Sequence, residues 1–369
     1  MKKTLIAVAA LTAAAGAMAD VTITGVFDTT LRMSSFDNGA GTEVKTTQVG
    51  RDGSGTSGLY FSATEDLGDG LKALGFAEID ASPFEAATVF NGGEKYAGLQ
   101  GAFGTIKIGS PNTPSLSVQS GLRGGLFGTK DGGRASAGGS NVGGNSSFID
   151  TSTLMGVSLT RFTGSVRYDT PSFSGFSAAV NFVPESDDKE LGTAPAGGGY
   201  VAGDAVPAQG ALTDIGLFYK AGPINAGLTM YSKDEDLGGW TTGAPTTAQK
   251  LGSAKTTQTS FGLQFNAGFA IFGVGMNKTK LEGGIADLDT EITGSNVLAT
   301  VPLSEALSLG VNYQMAEVKD GDKYSQVAVG ANYALSKMTS VYARYVSGTS
   351  DADGDPKATT TLVGLMTKF

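Results

Sequence analysis

Thr359-Thr360-Thr361-Leu362-Val363-Gly364-Leu365-Met366-Thr367-Lys368-Phe369 is the stretch whose reading decides the fold. Laid out as an extended strand, it places Thr361, Val363, Leu365, Thr367 and Phe369 on one face and Leu362, Gly364, Met366 and Lys368 on the other. In lipid every strand edge has to be paired, so strands cross a membrane only when their sheet closes on itself. An outward apolar stripe ending on an aromatic residue suits such a closed barrel better than it suits a soluble domain.

The opposite end begins Met1-Lys2-Lys3, continues with an apolar run from Leu5 to Ala17, and reaches Ala17-Met18-Ala19, which has the small-x-small form of a signal-peptidase site. Residues 1–19 are therefore read as a signal peptide and residues 20–369 as a single exported domain. Losing Lys2 and Lys3 takes the formal charge from −9 to −11, which makes nucleic acid a poor partner. Beyond that segment no apolar run reaches the roughly 18 residues of a spanning helix, so any crossing is made by strands. A mean hydropathy near zero is compatible with this, because lipid-facing and water-facing residues alternate and cancel. Composition alone allows a soluble β protein equally well. The chain contains no cysteine and no histidine. It thus lacks disulfides, thiolate ligands, the usual general base and the commonest metal ligand, which argues against an enzyme and against any cofactor or metal site.

Alternating segments recur along the whole length. Ile23, Phe27 and Leu31 oppose Thr22, Thr24, Asp28 and Arg32; Leu59, Phe61 and Ala63 alternate with Tyr60, Ser62 and Thr64; Leu309, Val311 and Tyr313 alternate with Ser308, Gly310, Asn312 and Gln314. Tight turns are expected at Asp66 to Gly70, Ala102-Phe103-Gly104, Pro171, Ala221-Gly222-Pro223, Asn266-Ala267-Gly268, Pro302 and Leu335-Ser336-Lys337. Sixteen candidate strands result, at roughly 22 residues per strand and connection, with short turns at one end and long polar loops at the other. Tyr and Phe gather near the inferred turns, at Phe103, Tyr168, Tyr313, Tyr333 and Phe369. An interfacial aromatic girdle explains this, and so does the ordinary β-propensity of aromatics.

Four stretches carry a family resemblance: Asp66-Leu67-Gly68-Asp69-Gly70-Leu71-Lys72-Ala73, Gly98 to Gly109 around Ala102-Phe103-Gly104-Thr105-Ile106-Lys107, Ser165-Val166-Arg167-Tyr168-Asp169-Thr170-Pro171 on to Phe176, and the ending Val363 to Phe369. The chain resembles the general porins of Gram-negative outer membranes, the β-proteobacterial branch in particular. The resemblance implies an all-β, 16-stranded antiparallel transmembrane β-barrel with short periplasmic turns, long external loops and an infolded third loop. It further implies a homotrimer in the cell outer membrane, in contact with lipid and lipopolysaccharide, that passes small hydrophilic solutes and ions. The long stretch 111–160 is assigned as the constriction loop; a disordered surface loop is the competing reading.

Strand parity then nominates lumen charges. Arg161, Arg167 and Asp169 lie opposite Phe162, Val166 and Tyr168, and Lys107 lies opposite Ile106 and Ile108; Arg32, Lys72, Arg344, Asp28 and Glu78 face inward by the same rule. Turning a basic one outward at mid-membrane would cost about 2 to 4 kcal/mol. The loop adds Arg123, Lys130 and Arg134, with Asp131 and Asp150 as its acids. Local bases thus outnumber local acids although the chain is acidic, and screening confines an ion's surroundings to about 8 Å. A weakly anion-preferring pore is the expectation. The alternative is that these charges hold the loop in place through ion pairs. Ser110 stands where the family often has Arg, which weakens the case for strong selectivity, and Thr367-Lys368 replaces a common His-Arg pair.

Two motifs are set aside. Gly53-Ser54-Gly55-Thr56-Ser57-Gly58 spells G-x-G-x-x-G but precedes a strand and opens no helix, so it reads as a flexible external loop and not as a dinucleotide site. Asp351 to Asp355 resembles the start of a calcium loop, with Gly354 misplaced and Leu362 where the bidentate Glu belongs. Competing functions are a substrate-specific outer-membrane channel, a soluble secreted β-sandwich or lectin, and an enzymatic barrel restricted to carboxylate chemistry.

Overall fold

The computed structural model describes residues 20–80, 93–127, 161–185, 210–236, 253–283 and 289–369. The expected signal peptide, residues 1–19, and the expected loop residues Lys130, Asp131, Arg134 and Asp150 lie outside them. Seventeen strand segments form one antiparallel sheet: β1 (Asp20–Asp37), β2 (Glu43–Arg51), β3 (Gly58–Gly68), β4 (Leu71–Asp80), β5 (Lys95–Gly101), β6 (Gly104–Ser110), β7 (Ser165–Asp169), β8 (Phe176–Val183), β9 (Leu212–Ala221), β10 (Ile224–Asp236), β11 (Ser253–Asn266), β12 (Ile271–Gly283), β13 (Thr290–Pro302), β14 (Leu307–Val318), β15 (Lys323–Ala334), β16 (Thr339–Ser350) and β17 (Lys357–Lys368). β1 pairs with β2 along its later half and with β3 along its earlier half, so β2 and β3 are two pieces of one stave. The barrel is therefore 16-stranded, as expected. It closes where Val26 to Asp37 of β1 pair with Lys368 to Lys357 of β17.

The closure is finished by the last residue. Gly25 N–H donates to the Phe369 carbonyl at 2.8 Å, Phe369 N–H returns a bond to Gly25 at 3.1 Å, and the Phe369 ring sits 5.4 Å from Phe27. The seven inferred tight turns all fall between paired strands at this same end. Asp69, Gly68 and Gly70 supply the positive φ that the first of them requires.

Side chains sort by parity. Leu31, Met33, Val274, Met276, Val311, Val329 and Leu365 are exposed outward, while Asp28, Thr30, Arg32, Asn277, Asn312, Gln314 and Gln326 are buried on the inward face. Phe103, Phe173, Phe269, Tyr333 and Phe369 are exposed beside the tight turns, as an interfacial girdle requires. Tyr313 departs from that pattern, since it pairs in mid-strand with Val297 and Val327.

Among the described residues, two segments fold into the lumen. After β6 the chain makes short helical turns at Pro114–Leu116, Ser117–Leu122 and Gly125–Phe127, and these lie against the inner wall. The wall makes room for them with glycine: Gly227 pairs with Gly262 and Gly262 with Gly275, a row across three strands with no side chain to fill it. A Cβ on Gly227 would come within 2.9 Å of Val118, and one on Gly262 within 2.7 Å of Leu122. The second inward segment is Asp52 to Ser57, between β2 and β3. Asp28 accepts the backbone N–H groups of Ser54 and Gly55 at 2.7 Å each. The reading of this G-x-G-x-x-G stretch as a flexible external loop is therefore wrong: an inward carboxylate near the middle of β1 captures it.

Polar anchors hold the first segment. Asp214 on β9 takes the Ser115 N–H at 2.8 Å and its hydroxyl at 2.7 Å, and Gln264 donates to the carbonyls of Gly121 and Leu122 at 3.0 and 2.9 Å. Arg123 is fully buried, with Nε on Asn296 at 2.9 Å and Nη1 on Asn277 at 2.7 Å. Replacing Arg123 by Ala strands both amides, and buried bonds to a charged group are worth about 1.5 to 3 kcal/mol each. Arg123→Ala is expected to expose residues 111–127 to limited proteolysis while the barrel keeps its β circular dichroism. Phe369→Ala, which removes the ring contact with Phe27, is expected to lower stability by about 1 to 2 kcal/mol in denaturant titrations of the vesicle-inserted barrel.

Candidate functional site

The inward charges meet where the loop leaves and rejoins the wall. Asn112 forms a β-bridge with Arg161, so the two ends of the long connection are held side by side. Glu94 accepts the Asn112 backbone N–H at 3.0 Å and its amide at 2.9 Å. Arg161 Nη1 donates to the Asn112 side chain at 3.0 Å and to Glu78 at 3.2 Å, and Arg167 Nη1 donates to the Asn112 carbonyl at 2.5 Å. Arg167 also grips Asp169 at 2.6 Å, and Lys107 approaches that carboxylate at 3.4 Å.

This cluster brings together three of the nominated residues, Lys107, Arg161 and Arg167. Register explains why: Lys107 faces Arg167 directly, and β5 to β7 present Tyr96, Lys107 and Arg167 on one inward face. The Lys107 ammonium lies 5.1 Å from the centroid of Tyr96, whose ring stacks 5.5 Å from Phe76. All three bases contact carboxylates, so the ion-pair alternative describes their geometry well. Their side chains stay partly in water, with exposures of 19, 25 and 11% for Lys107, Arg161 and Arg167, against 8% for Glu78 and 26% for Asp169.

The remaining nominated residues lie elsewhere. Arg123 points into the wall, as described above; it belongs to the loop and not to a spanning strand, and burial pulls its pKa down to about 9, so it stays charged at neutral pH. Arg344 is also buried, donating to the Ala331 carbonyl at 2.7 Å and to Asn332, with its guanidinium 5.5 Å from the Phe127 ring and 5.1 Å from Tyr342. Arg32 is buried on β1, across from Leu362 and Gln48. Lys72 is exposed beside the β3–β4 turn, six residues and about 20 Å along β4 from Glu78, at the mouth and away from the cluster.

Asn112, Glu94, Asp214 and Tyr342 were not nominated from sequence, because each acts through a partner far away in the chain. Glu94 precedes β5 by one residue, and extending the inward parity of Tyr96 back by one step would have included it. Among the described residues, no group of three or more His, Cys, Asp or Glu side chains is placed to hold a metal. Asp351 accepts the Lys323 backbone N–H at 2.5 Å. Among the described residues, the arrangement is a barrel with a polar, charged inner face and an apolar outer face, against whose inner wall two segments lie.

Comparison with known proteins agrees with this geometry. A family model described as Gram-negative porin matches residues 7–353. The major outer membrane protein P.IB of Neisseria lactamica is 29% identical over the full length of both chains. The outer membrane porin protein 32 of Delftia acidovorans is 27% identical over 93% of this chain and 88% of its own. Among solved structures, the anion-selective porin from Comamonas acidovorans superposes with a TM-score of 0.72 at 22% identity, covering 95% of this chain and all of the other. The β-barrel closed by β1 and β17, its apolar outer belt and its inward loop are thus those of an outer-membrane diffusion channel, and the chain belongs to the Gram-negative porin family.

Proposed function

We propose that this porin passes small hydrophilic solutes by passive diffusion with a weak preference for anions, and that it assembles as a homotrimer. The observation that carries the anion preference is the way the inward carboxylates are engaged. Asp28, Asp214 and Glu94 accept backbone N–H groups of the two inward segments, and Asp28 and Asp214 are fully buried. The Arg161 side chain is more exposed than its partner Glu78, 25% against 8%, and Lys107 keeps 19% exposure beside Asp169 at 26%. In a passage with low-dielectric walls such fixed charges focus a field on passing ions. The likeness to the anion-selective porin from Comamonas acidovorans is consistent with this reading.

A second reading keeps the same bonds and assigns them only to holding the loop, which leaves the channel indifferent to charge. The ion pairs at 2.6 to 3.4 Å favour it. Salt dependence separates the two, since screening acts over about 30 Å at 0.01 M and about 3 Å at 1 M. The anion preference predicts a reversal potential on the anion side in dilute KCl gradients that collapses toward zero at high salt. Lys107→Gln is expected to move it toward cations while conductance persists. A zero reversal potential at every salt concentration supports the second reading, and a clear cation preference contradicts the first.

For the assembly, a structural neighbour from Vibrio cholerae described as a trimer form shares the fold, with a TM-score of 0.61. On the outer face, Lys255, Lys278 and Lys323 pair with Asp234, Glu291 and Glu317 near the loop ends of β10 to β15, above the apolar belt. That is the level at which lipopolysaccharide phosphates would meet them. Detergent-extracted protein is expected to migrate as a heat-modifiable oligomer of three times the monomer mass; a monomer by light scattering contradicts the trimer.

A further inference from the structure

The stave formed by β2 and β3 contains more chain than its neighbour can match. Arg51 faces Thr29 and Gly58 faces Val26, so Asp52 to Ser57 stand opposite only Phe27 and Asp28. The excess turns inward. Besides the two bonds to the Asp28 carboxylate, Asp28 N–H donates to the Ser57 hydroxyl at 3.0 Å and Ser57 N–H donates to Asp52 at 2.7 Å. Tyr342 donates its hydroxyl to Asp28 from the far side of β17. Ser54 Oγ accepts from Asn332 at 3.3 Å and from Arg344 at 3.4 Å. Asn332 is on β15, four strand spacings from β2, or about 19 Å along the wall. The segment therefore lies across the inner surface of β1, β17 and β16.

Its burial is graded. Asp52, Gly53 and Ser57 are buried, Ser54 and Gly55 half-buried, and Thr56 exposed, with the Thr56 carbonyl accepting the Tyr60 hydroxyl at 2.9 Å. A Cβ on Gly53 would collide with Tyr342 and Thr30, so the backbone is seated directly on the wall. Thr56 forms the crest that faces away from it. The other inward segment reaches the same place from the opposite direction: Phe127 lies on Arg344 and packs with Ala328, Val346 and Ala358. Arg344 touches both segments.

We propose that Asp52 to Ser57 is a second constriction element, which sets the bore together with the Pro111 to Phe127 segment, and that Thr56 lines the water path. This rests on the channel reading. The chain has no cysteine, so Thr56→Cys introduces a single thiol at an exposed position whose side chain holds no other described residue. The parent and the variant are compared in planar lipid bilayers before and after treatment with a cationic and an anionic methanethiosulfonate. The proposal expects each reagent to lower the variant's single-channel conductance in steps, a reductant to restore it, and the two reagents to move the reversal potential in opposite directions. It is overturned if the thiol in the folded barrel does not react, or if mass spectrometry shows complete modification while conductance and reversal potential stay unchanged in a channel that conducts normally. A parent protein that does not conduct overturns the channel reading itself, and this proposal with it.

Discussion

A peptide group in hydrocarbon has no water to bond, and the structure follows from that. The edges of β1 and β17 meet along Val26 to Asp37, and the last backbone pair is made by Gly25 and Phe369. Once the sheet is closed, lipid selects the outward residues and has no influence on the inward ones. A ring of sixteen strands is too wide for wall side chains to fill. Whatever occupies the interior has to be held by its own bonds, and the two inward segments are held in that way.

The inward surface is therefore not uniformly wet. Val346, Ala328 and Ala358 lie on lumen faces and are fully buried, because Phe127 and its neighbours cover part of that wall. Val118 and Leu122 sit over the glycine row of β10 to β12 in the same manner. Parity separates lipid from interior; it does not separate water from protein within the interior. The polar residues around these patches, Asn296, Asn312 and Gln264, bond loop carbonyls that no strand could pair.

This division explains what could be read from sequence. The two-residue rhythm and the turn residues at Asp66 to Gly70 or Ala221 to Pro223 are local, and they yielded the barrel, the strand number and the outward face. The anchors are not local: Ser115 and Asp214 are 99 residues apart, and Asn312 and Arg123 are 189 apart. The inward glycines on successive hairpins were a usable signal, since a strand surrenders packing at such positions only where another backbone or side chain must approach. The Asp52 to Ser57 segment also had one, a turn-like Asp-Gly-Ser-Gly run between two alternating stretches of a single stave. Its direction is set by Asp28, which parity places inward but which no local pattern links to the N–H groups of Ser54 and Gly55. Counting bases against acids likewise treated every lumen charge as facing water, which Arg123 and Arg344 do not.

Charge and bore are consequently coupled here. Asp28 and Asp214 each contribute a negative charge and each fasten an inward segment through backbone N–H groups. Neutralising either one alters the field and also releases an inward segment, so a change in selectivity after such a substitution does not by itself measure electrostatics. Lys107 is different: its ammonium meets the Asp169 carboxylate, which Arg167 already holds, and the ring of Tyr96, both of them side chains on the barrel wall. Electrostatics is best isolated at that position, and geometry at the crest formed by Thr56. The anchors between them link the two properties, and the low-dielectric interior makes an unsatisfied anchor costly enough that these links persist.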